Sequence, residues 1–303
     1  MPDLSGSSFL VTGAAGFVGA HLVAHLVASG ASVCALTHKG HRITRLSALG
    51  VAHCAVASDL TDNDEIAAIL DRVAPDVIFH LAAERDVTAL IAKPDMSAMT
   101  GAALVRAAAR LNLKRFVTIG SSLEYPDKGT GDPVGPHGTA KALAMQAMQR
   151  ASIEVDLPFS AFRTHYVYGP LHGAQKLIPT AIRAAAKGAT MPMTGTDIRK
   201  RFVYVGDIVA ACMHVLTLPA DSKEIYLATA TDEHSNQDVI DRIAQLMGKT
   251  IDFETGAFAS RGWDRPHWDL PVGATLLPGW QPAIHIDQGL KATILAEGFD
   301  VND

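Results

Sequence analysis

FLVTGAAGFVG, residues 9–19, decides how this chain folds. A short apolar run, Phe9-Leu10-Val11, ends in Thr12-Gly13, and glycines at Gly13, Gly16 and Gly19 lead into an apolar helical segment, residues 21–29. Strand, glycine turn and helix in that order are the context in which a G-x-x-G-x-x-G spacing carries chemical meaning. The first glycine permits a tight turn, the second lets backbone approach a pyrophosphate, and the third lets the helix pack closely on the strand. Phosphates then sit at the positive end of the helix, where N–H groups without intrahelical partners point outward. The stretch predicts a dinucleotide site formed by Gly13, Gly16, Phe17, Val18 and Gly19.

Outward from that turn, Gly30 breaks the helical pattern and residues 31–36, ASVCAL, read as a second strand. The residue at its end meets the adenosine ribose, and an acid there favours NAD by binding the 2′-hydroxyl. This chain offers Thr37, then His38, Lys39 and Arg42. A carboxylate is missing and cations cluster, which suits the 2′-phosphate of NADP, with NAD as the alternative. A third strand, residues 51–56, leads to Asp59-Leu60-Thr61 and a helix over 64–73. Asp59 either accepts from the adenine amino group or, like Thr61, caps that helix. The continuous apolar run DVIFHLAA, residues 76–83, reads as a buried strand. Its end, Leu81-Ala82-Ala83, is small enough for a flat cofactor to lie against it. An alanine-rich helix over 94–110 and a buried strand, RFVTI at 115–119, follow. This cadence predicts an α/β fold: a Rossmann-type, doubly wound parallel sheet binding ligands at the carboxyl ends of its strands.

The fifth strand runs into Gly120-Ser121-Ser122-Leu123-Glu124-Tyr125-Pro126. A loop then reaches His137-Gly138-Thr139-Ala140-Lys141, which opens a helix extending to residue 152. A serine at a strand's carboxyl end lies on the ligand side of such a sheet, and Lys141 reaches the same place from the helix's first turn. A hydroxyl, an imidazole and an ammonium thus converge on a bound nicotinamide. Farther on, residues 177–187 and 236–247 carry helical periodicity. Residues 188–201 read as a polar loop ending in Arg199-Lys200-Arg201, residues 207–217 as a helix and 224–228 as a last strand of the first domain. Trp263, Trp268 and Trp280 line a sugar or base pocket or fill a small core. With no repeat and no low-complexity linker, two domains interleave. Residues 1–168 with 203–229 hold the dinucleotide, and 169–202 with 230–303 form a smaller C-terminal substrate domain.

Composition narrows the function classes. The 303 residues carry a net charge of −5 and no Lys/Arg block, which argues against a nucleic-acid partner. No apolar run approaches the roughly 18 residues of a membrane span. The opening MPDLSGSS has neither a basic nor an apolar signal region, so a cytoplasmic protein is expected. Cys34, Cys54 and Cys212 lie in apolar segments without metal spacing and read as small buried hydrophobes. His21 and His25 stand i, i+4, but no Glu sits between them in H-E-x-x-H order and no third ligand is in view, so no metal is expected.

Several motifs in register then become specific. TGAAGFVG, DLTD, HLAA, GSSLEYP, the lysine of HGTAK, YGP at 168–170 and RKRFVYVGDI at 199–208 resemble the extended short-chain dehydrogenase/reductase family. DRPHWDL at 264–270 and GWQPAIHIDQGLKATI at 279–294 are similar to its closing segments, so the resemblance spans nearly the whole chain. Members of that family are nucleotide-sugar epimerases, 4,6-dehydratases and ketoreductases. The resemblance implies that Ser121 hydrogen-bonds the sugar carbonyl and that Lys141 holds the nicotinamide ribose. It implies substrate contacts from Ser122, Tyr125 and Tyr166, and a diphosphate clamp of Lys200, Arg201 and Arg265. It also implies a homodimer, built through the helices around 94–110 and 141–152.

The departures are as informative. The family's catalytic tyrosine, four residues before the lysine, is replaced by His137. A neighbouring cation brings a phenol of pKa about 10 toward neutrality, whereas it drives an imidazole, ordinarily about 6.5, lower and keeps it neutral. A neutral imidazole serves as a base better than as an acid. Three readings stand: His137 exchanges the proton, Tyr125 or a water does so, or hydride chemistry has been lost. A helix asparagine usual in the family is replaced near Ser97, and Tyr166 stands where another asparagine is expected. The acid that dehydratases carry two residues after the hydroxyl is Leu123 here, with Glu124 one later. The expectation is an NADP(H)-dependent oxidoreductase of the 4-ketoreductase type on a nucleotide sugar. The alternatives are an epimerase, or a non-catalytic NADP-binding sensor or assembly protein.

Overall fold

A computed structural model of the chain describes residues 4–84, 86–126, 131–219, 224–258 and 266–302. In chain order the regular elements begin with β1 (Ser8–Thr12), α1 (Phe17–Ala28), β2 (Ser32–His38), α2 (Thr44–Ala48), β3 (Ala55–Ser58), α3 (Asn63–Val73) and β4 (Val77–His80). There follow α4 (Val87–Ala92), α5 (Met96–Ala108), β5 (Arg115–Ser121), α6 (Gly135–Glu154), β6 (Phe159–Thr164) and β7 (Tyr166–Tyr168). Then come α7 (Leu177–Lys187), β8 (Met191–Met193), β9 (Arg199–Lys200), β10 (Phe202–Tyr204), α8 (Val205–His214) and β11 (Ile225–Ala228). The chain closes with β12 (His234–Ser235), α9 (Asn236–Met247), β13 (Phe253–Thr255) and α10 (Ile286–Ala296).

Seven strands form one sheet in the order β11-β6-β5-β4-β1-β2-β3. β1 pairs parallel with both β2 and β4, so the strand order reverses there, and β2–β3 and β4–β5 are parallel as well. This is the expected Rossmann-type, doubly wound sheet. The ligand crevice of such a sheet opens at that reversal, beyond the strands' carboxyl ends. Two compact units are present: Met1–Arg163 with Val209–Leu227, and Thr164–Ile208 with Ala228–Asp303. In the first, Leu10, Ile78 and Phe116 of the central strands pack with Ile66 and Leu70 of α3, Leu104 and Val105 of α5, and Met145 and Met148 of α6. Arg115 is buried there, its Nη1 donating to Ser160 Oγ at 2.6 Å and its Nη2 to Leu218 O at 2.8 Å. In the second, Ile178 and Ile182 of α7 meet Ile240 and Ile243 of α9, Phe202, Tyr168 and Leu290.

Three local expectations are corrected. The helix after the glycine turn begins at Phe17 rather than at residue 21, because Gly16, extended at ψ 173°, already serves as its N-cap. The third strand starts at Ala55 rather than 51. Val51 donates to Leu46 O and accepts from Cys54 N, so its apolar side chain anchors a 3₁₀ turn, Ala52–Cys54, instead of a strand. β4 stops at His80 rather than 83, since its partner β1 turns away at Gly13. Leu81 and Ala82 donate instead to the backbone and hydroxyl oxygens of Thr12.

Candidate functional site

The glycine turn is packed to backbone contact. Gly13 has φ +65°, and a Cβ there would stand 2.6 Å from Ala82 N, so β4's end closes directly on it. A Cβ on Gly19 would collide with Gly13 O, which holds α1 against the turn. Gly16 donates to Gly13 O at 2.9 Å, no side chain caps the helix at Gly16, and its first turn contains no acid. The bare, positive end of a twelve-residue helix above a turn of glycines and alanines fits a pyrophosphate. Phe17, Val18 and the partly buried Leu81, Ala82 and Ala83 border it.

On the adenosine side the residues expected to read the ribose behave differently from one another. Thr37 is buried and turns its hydroxyl to Val56 O. His38 shares a hydrogen bond with Lys39 O, and Lys39 Nζ is paired with Glu65 at 2.8 Å. Arg42 is exposed. Asp59 Oδ1 accepts from the Thr61 N–H at 2.9 Å and the Thr61 hydroxyl at 2.8 Å, bonds that hold its carboxyl below the usual range. The α3 cap is Asp62, accepting from Glu65 N, and Leu60 packs against the core. Sequence reasoning missed Arg45. It sits on α2, half-buried, and its Nη1 donates to Ala15 O of the glycine turn at 3.3 Å. Only the fold brings it there.

The chemical residues gather at the end of β5. Ser121 closes the strand, and its Oγ accepts from Leu123 N at 3.2 Å. Lys141 Nζ donates to Ile119 O at 3.4 Å, two residues before Ser121. Gly138, beside His137, packs on Leu123 O so tightly that a Cβ would collide, and Val134 N donates to the same oxygen at 2.8 Å. His137 and Lys141 are both half-buried, and the helix that carries them touches the Ser121 segment through Gly138, next to His137, and through Lys141. Ser122 is buried and Tyr125 half-buried. Beneath them, Glu124 receives the Ser121 N–H at 2.6 Å and Arg163 Nε at 2.8 Å, and the Arg163 guanidinium lies 4.6 Å over the Tyr125 ring. A charged residue in a segment this close to a buried strand was the available signal for that pair. His80, fully enclosed, shares a hydrogen bond with Thr12 Oγ1 at 2.9 Å. Burial, helped by the charge of Lys141, lowers its pKa to about 4. Ser97 Oγ accepts from Glu84 N at 3.2 Å.

Within the second unit, Lys200 Nζ lies 5.1 Å over the Tyr166 ring and 3.2 Å from Asn236 Oδ1. Burial pushes the Tyr166 phenol up to about 12. Arg201 is tied to Glu233 at 2.9 Å and to the carbonyls of Ala230 and Thr231. The Trp268 indole nitrogen is buried without a hydrogen-bond partner among the described residues. Arg265 and Trp263 lie outside the described residues. Among the described residues no group of three His, Cys, Asp or Glu side chains could hold a metal ion, and no helix is long and apolar enough to cross a membrane.

Known proteins resemble this chain over most of its length. The model of the NAD dependent epimerase/dehydratase family matches residues 9–228. The low-salt glycan biosynthesis protein Agl12 of Haloferax volcanii is 30% identical over 305 residues, covering 94% of this chain and 96% of that protein. A dTDP-glucose 4,6-dehydratase of Xanthomonas campestris is 27% identical, covering 95% and 92%. The structure of Bacillus cereus UDP-glucuronic acid 4-epimerase with UDP-glucuronic acid and NAD superposes with a TM-score of 0.81 at 20% identity, covering 95% of this chain and 98% of that one. With the family model matched over residues 9–228, this chain belongs to the NAD dependent epimerase/dehydratase family.

Proposed function

We propose that the chain is an NADP(H)-dependent oxidoreductase acting on a nucleotide-linked sugar, in a 4-ketoreductase-type reaction. The observation that carries this reading is the packing of α6, through Gly138 next to His137 and through Lys141, on the segment that carries Ser121. NADP(H), when bound, supplies or accepts the hydride. Ser121 donates a hydrogen bond to the sugar carbonyl, His137 exchanges the proton, and Lys141 holds the nicotinamide ribose. Tyr166, Lys200, Arg201 and Arg265 are the proposed substrate contacts.

Dehydration is disfavoured although several relatives are named 4,6-dehydratases. The position two residues past Ser121 is Leu123, and the carboxylate of Glu124 is engaged by Arg163 and the Ser121 N–H. Epimerisation at C4 needs the same groups and is the second reading, favoured by the likeness to a 4-epimerase. Purified protein given NADPH and a panel of 4-keto nucleotide sugars is expected to oxidise the cofactor. Interconversion of sugars without net oxidation favours the epimerase. Silence across the panel with cofactor binding intact would sink the enzymatic reading and leave a sensor. His137→Tyr is the paired test, and unaltered turnover would remove His137 from the proton transfer.

The exposed apolar residues Ile91 (64%) on α4, Met99 (66%) on α5 and Leu143 (37%) on α6 support a homodimer through these helices. Met99→Glu is expected to shift sedimentation from dimer to monomer, and a wild-type monomer would refute the assembly.

A further inference from the structure

We propose that Arg163 is a positioning residue for the reaction, setting Ser121 through the Glu124 carboxylate and Tyr125 by lying over its ring; the inference rests on the role given above to Ser121. The chain makes room for this arrangement at Gly120. That glycine is buried, and a Cβ there would collide with Glu124 Oε1 and Met145 Cε, so the carboxylate fills space that any side chain at 120 would need. Glu124 folds back in the 3₁₀ turn Ser122–Glu124, where its Oε1 accepts from Ser121 N at 2.6 Å while Ser121 Oγ accepts from Leu123 N at 3.2 Å. That reciprocal pair is a capping box, which a neutral glutamine serves as well as a glutamate. The feature that calls for a carboxylate is the second oxygen, which accepts from Arg163 Nε at 2.8 Å. Arg163 comes from β6, the neighbour of β5 in the sheet, and its guanidinium also lies 4.6 Å over the Tyr125 ring. One cation thus touches the Ser121–Tyr125 segment at two points.

Stability does not account for the pair. The Glu124 side chain is fully buried and that of Arg163 largely so. Taking both charges out of water costs about what their attraction returns, and apolar residues of similar volume commonly fill such a place as well or better. Apolar residues do not fix direction, however, whereas charge-assisted hydrogen bonds are short and directional. Direction matters at Ser121, because a donor displaced by about 1 Å from a reacting carbonyl loses much of its effect. The Ser121 hydroxyl already accepts the Leu123 N–H, so the orientation of its own O–H follows the turn, and the turn follows Glu124. Arginine suits the task better than lysine: its planar guanidinium holds a carboxylate in fixed geometry and stacks on an aromatic face, two contacts that the point charge of a flexible lysine makes less well together.

The test replaces both charges at once, so that neither is stranded. The full chain and the double variant Glu124→Leu/Arg163→Met are compared in urea unfolding, in amide hydrogen exchange, in NADPH binding, and in kcat and KM with NADPH and the panel of 4-keto nucleotide sugars. The double variant should keep the urea midpoint of the wild type, while amide exchange speeds up over residues 119–125 and not along the rest of β5 and α6. Its kcat should fall by about 10-fold or more, with the sugar KM and the NADPH Kd changing by less than about threefold. Arg163→Lys, which keeps the charge, should lie between the two in both exchange and kcat. Tyr125→Leu should cost less when added to the double variant than when made alone, because the ring is by then no longer held. An unchanged kcat, exchange that rises uniformly along the chain, or a Tyr125→Leu effect that is fully additive would each overturn the proposal. If the wild type turns over no sugar of the panel, the oxidoreductase reading fails separately, and exchange still decides the positioning: unchanged rates over residues 119–125 in the double variant overturn it.

Discussion

Glu124 divides its two oxygens between a backbone and a cation: one takes the N–H of Ser121, the other the guanidinium of Arg163. The carboxylate side chain is fully buried and that of Arg163 only 16% exposed, so neither charge has water to fall back on. Removing one member of such a pair strands the other, at a cost of about 3–5 kcal/mol. Glu124→Ala is therefore expected to lower stability by roughly that amount in urea unfolding, and to reduce kcat more than it raises KM by loosening Ser121. Glu124→Gln keeps an acceptor for only one of the two donors, sets an NH2 group against the other and loses the charge, so it should recover only a small part of either effect. A Glu124→Ala protein as stable as the wild type would contradict this account. At this scale residue type singles out Ser121, His137 and Lys141 as candidates and marks Glu124 chiefly as a displaced acid. What it could not supply was the partner, because Arg163 lies on another strand, 39 residues away.

The first turn of α6 is fixed by a glycine rather than by a cap. Gly138 lets the helix rest on Leu123 O, and Val134 donates to the same oxygen, so the element carrying His137 and Lys141 is locked to the segment carrying Ser121. A methyl group at 138 must push the helix away from backbone that cannot yield. Gly138→Ala is expected to lower kcat by about 10-fold or more, since displacements near 1 Å at a reacting group cost up to about 100-fold. Lys141 moves with the helix while the glycine turn does not, so NADPH affinity should fall as well, but by less than kcat. Unchanged kcat, or an equal loss of cofactor affinity, would show that this contact does not set the geometry. Elements built on local pattern were legible. α7 (Leu177–Lys187) and α9 (Asn236–Met247) begin and end where the periodicity places them, each closed by a glycine in the left-handed conformation. The short strands β8 and β9 were hidden inside a stretch that reads as polar loop, because their partners β13 and β12 come from much later in the chain. α4, six residues long, was too short to carry a period.

For the molecule as a whole, the parallel sheet was legible because alternating strands and helices have few ways to pack. The buried polar links that hold it were not, since each joins residues far apart in sequence. Two of these links involve histidines: His80 with Thr12 in the first unit, and His165 with Thr229 at 2.8 Å in the second. Burial lowers both pKa values to about 4, aided by Lys141 for His80 and by Arg201 for His165. In the unfolded chain both return to about 6.5. Between those values the unfolded state binds more protons than the native one, so stability falls as pH falls from about 6.5 toward 4. At ~1.4 kcal/mol per pKa unit, each histidine removes at most about 3 kcal/mol. Asp207 offsets part of this, because burial raises its pKa and protonation therefore favours the folded form. Asp76 and Asp238, held low by their hydrogen bonds, add losses only below about 4. Urea midpoints measured from pH 7.5 to 4 should decline most steeply between 6.5 and 4.5. His80→Asn and His165→Asn, though less stable at neutral pH, should each flatten that decline, and a slope unchanged in both variants would assign it to other groups.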